Sequence, residues 1–248
     1  MRLAAWVMIG AIGLLALAAV VPAQVPGSSD WPQRVERIEE LLGEDKWKPA
    51  LKQARKLADE IEANAWERTD LGRLLATIGR YHAVAEINLG MEREALWHWF
   101  AAWNLSPPTD LGALAALGHT GALIESSLRR LGEMPRGHVQ PGDLELMRLE
   151  QAVIPEVERP ILANDTASRG GRLPDLLVEV LIDRNGVLLH PVIDDSGVPS
   201  VAAWATLEWL LTHPPAQPAT IDGAPVDTLQ LLTIEFGRER RRGEIHWN

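Results

Sequence analysis

The spacing of apolar residues divides this chain into a helical part and a later strand-rich part. From about residue 31 to residue 131, apolar side chains recur three and four positions apart, as at Val35, Ile38 and Leu41. This spacing places them on one face of an α-helix. We therefore predict helices, the last of them interrupted near Gly118, over residues 31–43, 46–63, 69–89, 92–105 and 110–131.

From residue 174 onward the apolar pattern favours strands. Residues 176–182 and 187–193 predict two strands joined by the turn Asp183-Arg184-Asn185-Gly186, in which Asn-Gly supplies the positive-φ positions of a tight hairpin. A helix is predicted at 201–211 and a last strand at 229–236. The order strand–strand–helix–strand predicts a small α+β unit with a three-stranded antiparallel sheet.

Changes in composition suggest where the units begin and end. We expect a helical domain at 30–132, a linker at 133–172, a strand-rich domain at 173–238 and a basic tail at 239–248. The linker is rich in Pro and Gly, and one short helix is predicted inside it at about 143–151. The tail is either a solvated terminus or a contact to anionic lipid or a partner.

The first 23 residues have the pattern of an export segment. Met1-Arg2 is followed by nineteen uncharged residues, 3–21, and then by Pro22-Ala23. This pattern describes a cleavable signal peptide, and a membrane anchor is the alternative because the stretch would nearly span a bilayer. Either interpretation places the remaining chain in the periplasm of a bacterium.

The composition excludes several function classes, and the sequence contains no recognisable catalytic motif. The chain has no Cys, which excludes thiolate chemistry and Cys-ligated metal, and a formal charge of −10, which disfavours nucleic acid as a partner. Its seven His are scattered, and no phosphate loop or nucleophile elbow occurs. Asp194-Asp195 beside Ser196 is interpreted as a polar strand end. We therefore predict no catalytic, cofactor-binding or metal-binding residues.

Residues 76–107 resemble a tetratricopeptide repeat unit. Small, glycine, aromatic and proline residues fall where that 34-residue pattern requires them, at Ala83, Gly90, Ala95, Trp99, Ala102 and Pro107. An earlier, weaker copy lies around residues 42–61. The resemblance implies a helical scaffold that binds a peptide or another protein.

Aromatic residues cluster within the second helix of that unit. Trp97, Trp99 and Trp103 form either the wall of a partner-binding groove or the filling between packed helices, and His98 is expected to be a partly exposed helix residue. The four lysines of the chain, Lys46, Lys48, Lys52 and Lys56, are interpreted as a solvated stripe, with a docking stripe for an acidic partner as the alternative.

Residues 178–236 resemble the C-terminal domain of TonB-type energy transducers. The matching features are an Asp-x-x-Gly turn at 183–186, Ser196-Gly197 before a helix, and Pro218-Ala219 before Gly223-Ala224-Pro225-Val226. The resemblance implies a sheet that pairs by strand addition with a segment of an outer-membrane transporter. The proline-rich rod and the polar anchor residue of that family are absent here.

Together these patterns predict an α+β protein with a tetratricopeptide-like helical domain and a TonB-like domain. We expect an exported envelope protein that binds protein partners, with the edge of the last strand and the tryptophan cluster as partner sites: Leu229, Leu231, Thr233, Glu235, Trp97, Trp99 and Trp103. A membrane-anchored transducer coupled to the proton gradient is the alternative. An enzyme without a visible motif is the third hypothesis.

Overall fold

The computed structural model describes residues 30–65, 68–107, 117–133, 149–150, 174–193, 197–234, 236 and 246–247. The predicted export segment, Asp194-Asp195 and most of the linker and of the basic tail lie outside these residues.

Five helices form the first part of the described chain. They are α1 Trp31–Gly43, α2 Trp47–Asn64, α3 Gly72–Asn88, α4 Glu92–Leu105 and α5 His119–Glu133. The predicted apolar faces are the buried ones: Val35, Ile38 and Leu41 all point inward from α1. The apolar period therefore placed the helices, and α4 begins and ends at the predicted residues.

Small side chains bring α3 and α4 into close contact. Ala83, Ala95 and Ala102 are fully buried, and among the described elements these two helices share the most extensive contact. Gly90, between the two helices, has a φ of +77°. The positions that carry the repeat-like pattern are thus the ones at which the two helices approach and turn.

Seven short strands and one further helix form the second part. They are β1 Leu149–Glu150, β2 Leu176–Ile182, β3 Leu188–Ile193, α6 Ser200–Leu211, β4 Ala219–Ile221, β5 Ala224–Val226, β6 Thr228–Ile234 and β7 His246–Trp247. All strand pairs are antiparallel, in one sheet of order β3-β2-β6-β7 and another of order β1-β4-β5. The mixed α+β class is therefore correct, with helices first and a small antiparallel sheet after them.

Two local predictions are wrong. The short helix predicted to reach residue 151 is contradicted at Leu149 and Glu150, which pair with β4 as a strand. The turn at 183–186 is also not the predicted type, because only Gly186 among its residues has a positive φ. It is a longer hairpin loop in which the Asp183 carboxylate accepts backbone hydrogen bonds from Asn185 and Val187, both at 2.8 Å.

The helices and the sheet share one hydrophobic core. Ile61, Leu75 and Trp97 from the helices belong to the same buried cluster as Val178 and Leu232 from the sheet. Helix α6 lies within this cluster, and the Trp97 indole N–H donates a hydrogen bond of 3.1 Å to the backbone carbonyl of Leu207 on α6. The predicted domain boundaries stay a prediction, but the two parts stabilise each other by direct packing.

Candidate functional site

The predicted partner strand, β6, lies beside an open stretch of sheet edge. On one side β6 pairs with β2 along its whole length, and on the other side only Leu232 and Thr233 are paired, with β7. Within the described residues no strand pairs with residues 228–231 on that second side. Leu229 and Leu231 expose 48% and 39% of their surface, and Glu235 lies outside the described residues.

The opposite edge of the same sheet is closed by a side chain. The Asn104 amide on α4 donates a hydrogen bond of 2.7 Å to the carbonyl of Pro191, and its oxygen accepts one of 3.1 Å from the Ile193 N–H. Both backbone groups belong to β3. Asn104 therefore occupies hydrogen-bonding positions that an added strand would need, which leaves β6 as the more open edge of this sheet in the part of the chain that the structure describes.

The three tryptophans of the predicted site differ in how much of their surface is exposed. Trp97 has no exposed surface and Trp99 is 6% exposed, so both fill space between helices, and the alternative of a groove wall is wrong for these two residues. Trp97 belongs to the core that the helices share with the sheet, and Trp99 belongs to a second buried cluster with Ala83 and Ile124. Trp103 is 38% exposed and remains a surface residue.

The four lysines lie on the solvent side of the first two helices. Lys46, Lys48, Lys52 and Lys56 are all exposed. Lys46 forms an ion pair of 2.8 Å with Glu44. Exposure is what both a solvated stripe and a docking stripe require, so the choice between them stays a prediction.

A buried cluster of histidine and glutamate residues was missed by the sequence prediction. His82 and Glu86 lie on α3, His98 lies on α4 and Glu208 lies on α6. His98 Nδ1 lies 2.6 Å from Glu86 Oε2, and its Nε2 lies 2.8 Å from Glu208 Oε1. The expectation that His98 is partly exposed is wrong, because only 1% of its surface is accessible between the three helices.

His82 completes the cluster in a different way. Its ring meets the His98 ring edge-on with centroids 4.6 Å apart, and only 1% of the residue is exposed. Neither ring nitrogen makes a hydrogen bond of normal geometry, and the Ala54 backbone is a nearby polar group that acts on the ring without reaching that geometry. One ring nitrogen of each histidine and a Glu208 oxygen all lie within 4.8 Å of one another. The Trp204 ring stands against both histidines, at centroid distances of 5.9 Å.

Burial and charge give the two histidines opposite protonation states at neutral pH. Burial lowers the pKa of His82 well below its ordinary value, and the positive charges of His98 and Arg55 lower it further. Burial also opposes the charge on His98, but Glu208 and Glu86 outweigh it and raise the pKa of His98 to about 10. His82 is therefore neutral, and His98 is a cation held between two carboxylates.

Further charges surround this cluster on the solvent side. Arg55 Nη2, on α2, lies 3.1 Å from the second oxygen of the fully buried Glu86. Burial, Asp59 and Glu208 raise the pKa of Glu62 to about 7, and partial burial and Glu208 raise the pKa of Asp59. The buried histidines thus lie beneath a group of three carboxyl groups.

One signal in the sequence could have pointed to this cluster. His82 and Glu86 are four residues apart, which places them on one helix face inside an otherwise apolar pattern. A histidine and a carboxylate on a buried face require partners. Their partners, His98 and Glu208, lie on other helices and could not be inferred from spacing.

Comparisons with known proteins add no further constraint. No family model, curated protein or solved structure matches this chain. Among the helices of the described residues, none has the length and apolar character needed to cross a membrane.

Proposed function

We propose that this chain is a protein-binding protein of the bacterial envelope, which captures an extended segment of a partner by strand addition at β6. The observation that carries the proposal is the asymmetry of the sheet. Asn104 occupies the β3 edge, whereas residues 228–231 of β6 have pairing positions without a partner strand among the described residues. An extended peptide fits such an edge because its backbone continues the ladder.

The exposed leucines support the same site. Leu229 and Leu231 lie on one face of β6, next to the open edge, and they give an incoming strand apolar side chains to pack against. Trp103 is not required for this mode of binding. Cross-strand contacts of this kind would select a partner segment with apolar residues at alternating positions.

The wider assignment follows from the resemblances. A TonB-like sheet and tetratricopeptide-like helices fit a periplasmic adaptor associated with TonB-type transport, with a transporter or its periplasmic segment as the partner. Export rests on the pattern of residues 1–23. N-terminal sequencing of the mature protein separates a released periplasmic protein, beginning at Gln24, from a membrane-anchored transducer.

Strand addition is tested with the full chain as bait for a displayed library of extended peptides. Selected peptides should protect amide hydrogens within residues 228–231 from exchange with deuterium. Successive residues of an antiparallel strand direct their N–H groups to opposite sides of the strand. Leu229→Pro and Gln230→Pro therefore differ in effect, because proline has no N–H group. One variant removes an N–H that points to the open edge, and the other removes an N–H that is bonded to β2.

The two proline variants form a matched pair. The variant that retains the stability of the native chain should lose the peptide, and the other should be destabilised. Val192→Lys, which changes an exposed apolar residue on β3, should bind as well as the native chain. Undiminished binding by the folded proline variant, or exchange protection confined to other residues, would exclude strand addition at β6.

A further inference from the structure

We propose that His82, His98 and Glu208 bind a divalent transition-metal ion of the zinc type. Three helices, α3, α4 and α6, each contribute one of these residues. Their ligand atoms lie within 4.8 Å of one another, and the closest pair, His98 Nε2 and Glu208 Oε1, is separated by 2.8 Å. The site is independent of the open edge of β6.

The state of His82 is the second observation that points to a ligand. Both of its ring nitrogens are buried without a hydrogen bond, whereas both ring nitrogens of the neighbouring His98 face carboxylate oxygens. A buried polar group without a partner is costly, and it is rare in a folded protein. A metal ion bound to one nitrogen of this neutral ring would satisfy it.

The surroundings of His98 match those of a metal-bound histidine. When one ring nitrogen binds a metal, the other usually donates a hydrogen bond to a carboxylate, which orients the ring. Here Nδ1 of His98 faces Glu86 Oε2 at 2.6 Å, and Arg55 holds the other oxygen of Glu86 at 3.1 Å. His98 Nε2 faces Glu208 Oε1 at 2.8 Å, and it must release its proton before it can bind the ion.

The ligand set determines the type of ion. Two imidazoles and one carboxylate are a set used for Zn²⁺ and similar ions, whereas Mg²⁺ and Ca²⁺ prefer oxygen ligands alone. Tetrahedral zinc–ligand bonds of about 2.0–2.2 Å place the ligand atoms about 3.3–3.6 Å apart. The present separations reach up to 4.8 Å, so the ligands that are farthest apart would approach each other by about 1 Å on binding.

Glu208 gives the ion a route from solvent. Its side chain is 33% exposed, whereas both histidines are buried beneath it. Asp59 and Glu62 lie close enough to Glu208 for their charges to interact. Together with Glu208, these carboxyl groups attract a divalent cation toward the partly exposed side of the cluster.

The test uses the full chain, purified without a polyhistidine tag and freed of metal by a chelator. Calorimetric titration with Zn²⁺ should give one site per chain, and Co²⁺ should give the visible absorption bands of a four- or five-coordinate ion. His82→Phe should reduce the Zn²⁺ affinity by more than about 100-fold, beyond the effect typical of an outer-shell partner. His213→Phe, at another buried histidine, should leave the affinity unchanged.

Folding is controlled within the same design. His82→Phe removes no hydrogen bond, so without metal its Tm should equal or exceed that of the native chain, and Zn²⁺ should raise the Tm of the native chain alone. If His82→Phe does not fold, the partly exposed Glu208 provides a second variant, and Glu208→Gln should also weaken Zn²⁺ binding. The proposal is overturned if the native chain does not bind Zn²⁺ one to one, or if the folded variants bind it as well as the native chain does. The cluster would then be a network of ion pairs that binds no metal.

Discussion

Replacing Gly186 with alanine should destabilise the protein far more than the same replacement at Gly223. Both glycines lie in hairpin turns with nearly the same backbone conformation, at φ values of +80° and +82°. A Cβ atom added to Gly186 would lie 1.8 Å from the carbonyl oxygen of Ala216, whereas one added to Gly223 would meet nothing within 4 Å. The pair therefore separates backbone strain from steric overlap.

The expected magnitudes follow from these two terms. The left-handed conformation costs an alanine about 1–2 kcal/mol, and reduced freedom of the unfolded chain offsets about 0.4–1 kcal/mol, so Gly223→Ala should cost about 1 kcal/mol. At Gly186 the overlap forces the backbone near Ala216 to move, which costs about 1–3 kcal/mol, and it disturbs the hydrogen bond of 2.7 Å from the Ala216 N–H to the Gly186 carbonyl. We expect a total of about 3–5 kcal/mol there.

Urea unfolding measures both variants on the same scale. Tryptophan fluorescence reports on the shared core, since Trp97 and Trp204 are fully or almost fully buried in it, and circular dichroism reports on the helices. The two signals should change together, with m-values close to that of the native chain. Equal losses of stability in the two variants would refute the steric argument.

Three other side chains give separate predictions. Asn104→Ala removes two hydrogen bonds to β3 and should lower the free energy of unfolding by about 1–3 kcal/mol, with faster amide exchange at the edge of β3. Trp97→Phe should cost about 2–3 kcal/mol, more than Trp99→Phe, because it also removes the hydrogen bond to α6. Since burial raises the pKa of Glu62 from 4.5 to about 7, the stability linked to this carboxyl group is complete below about pH 4.5 and is lost as the pH rises through 7. Glu62→Gln should therefore raise the Tm at pH 8 and leave it unchanged at pH 4.

Each of these predictions has an outcome that contradicts it. Unchanged exchange at β3 in Asn104→Ala would mean that the amide does not close this edge. Equal losses of stability in Trp97→Phe and Trp99→Phe would mean that the hydrogen bond to α6 contributes little to the stability of the fold. Glu60 is the control for Glu62: Arg34 lowers its pKa through a hydrogen bond, so Glu60→Gln should lower the Tm at pH 8. A gain in both glutamine variants would show that charge reduction alone is responsible.

Local patterns in the sequence predicted most of the secondary structure. The bounds of α4 and β2 were predicted from the apolar pattern together with the residues that interrupt it, which are Pro107 after α4 and the turn at 183–186 after β2. The β4–β5 hairpin was predicted only as a turn, since its strands have three residues each. Strands that short are too brief to show a period.

The features that bear on function depend on contacts between distant residues. His98 and Glu208 are 110 positions apart, and Asn104 reaches β3 across 87 and 89 positions. The sequence shows these residues as ordinary helix positions, since nothing local records which strand or carboxylate they face. The last strand was predicted as the partner edge, but the contact by which Asn104 occupies the opposite edge could not be predicted.

The side chain of Asn104 also limits how many molecules can join the sheet. A sheet with two free edges can grow at both, and copies of such a protein can polymerise edge to edge. Here one edge is capped from within the chain and the other retains only a short free stretch, next to residues 246–247. Within the described residues of this sheet, the arrangement favours a stoichiometry of one added strand per chain, because a bound pair would have no second open edge of the same sheet at which to extend.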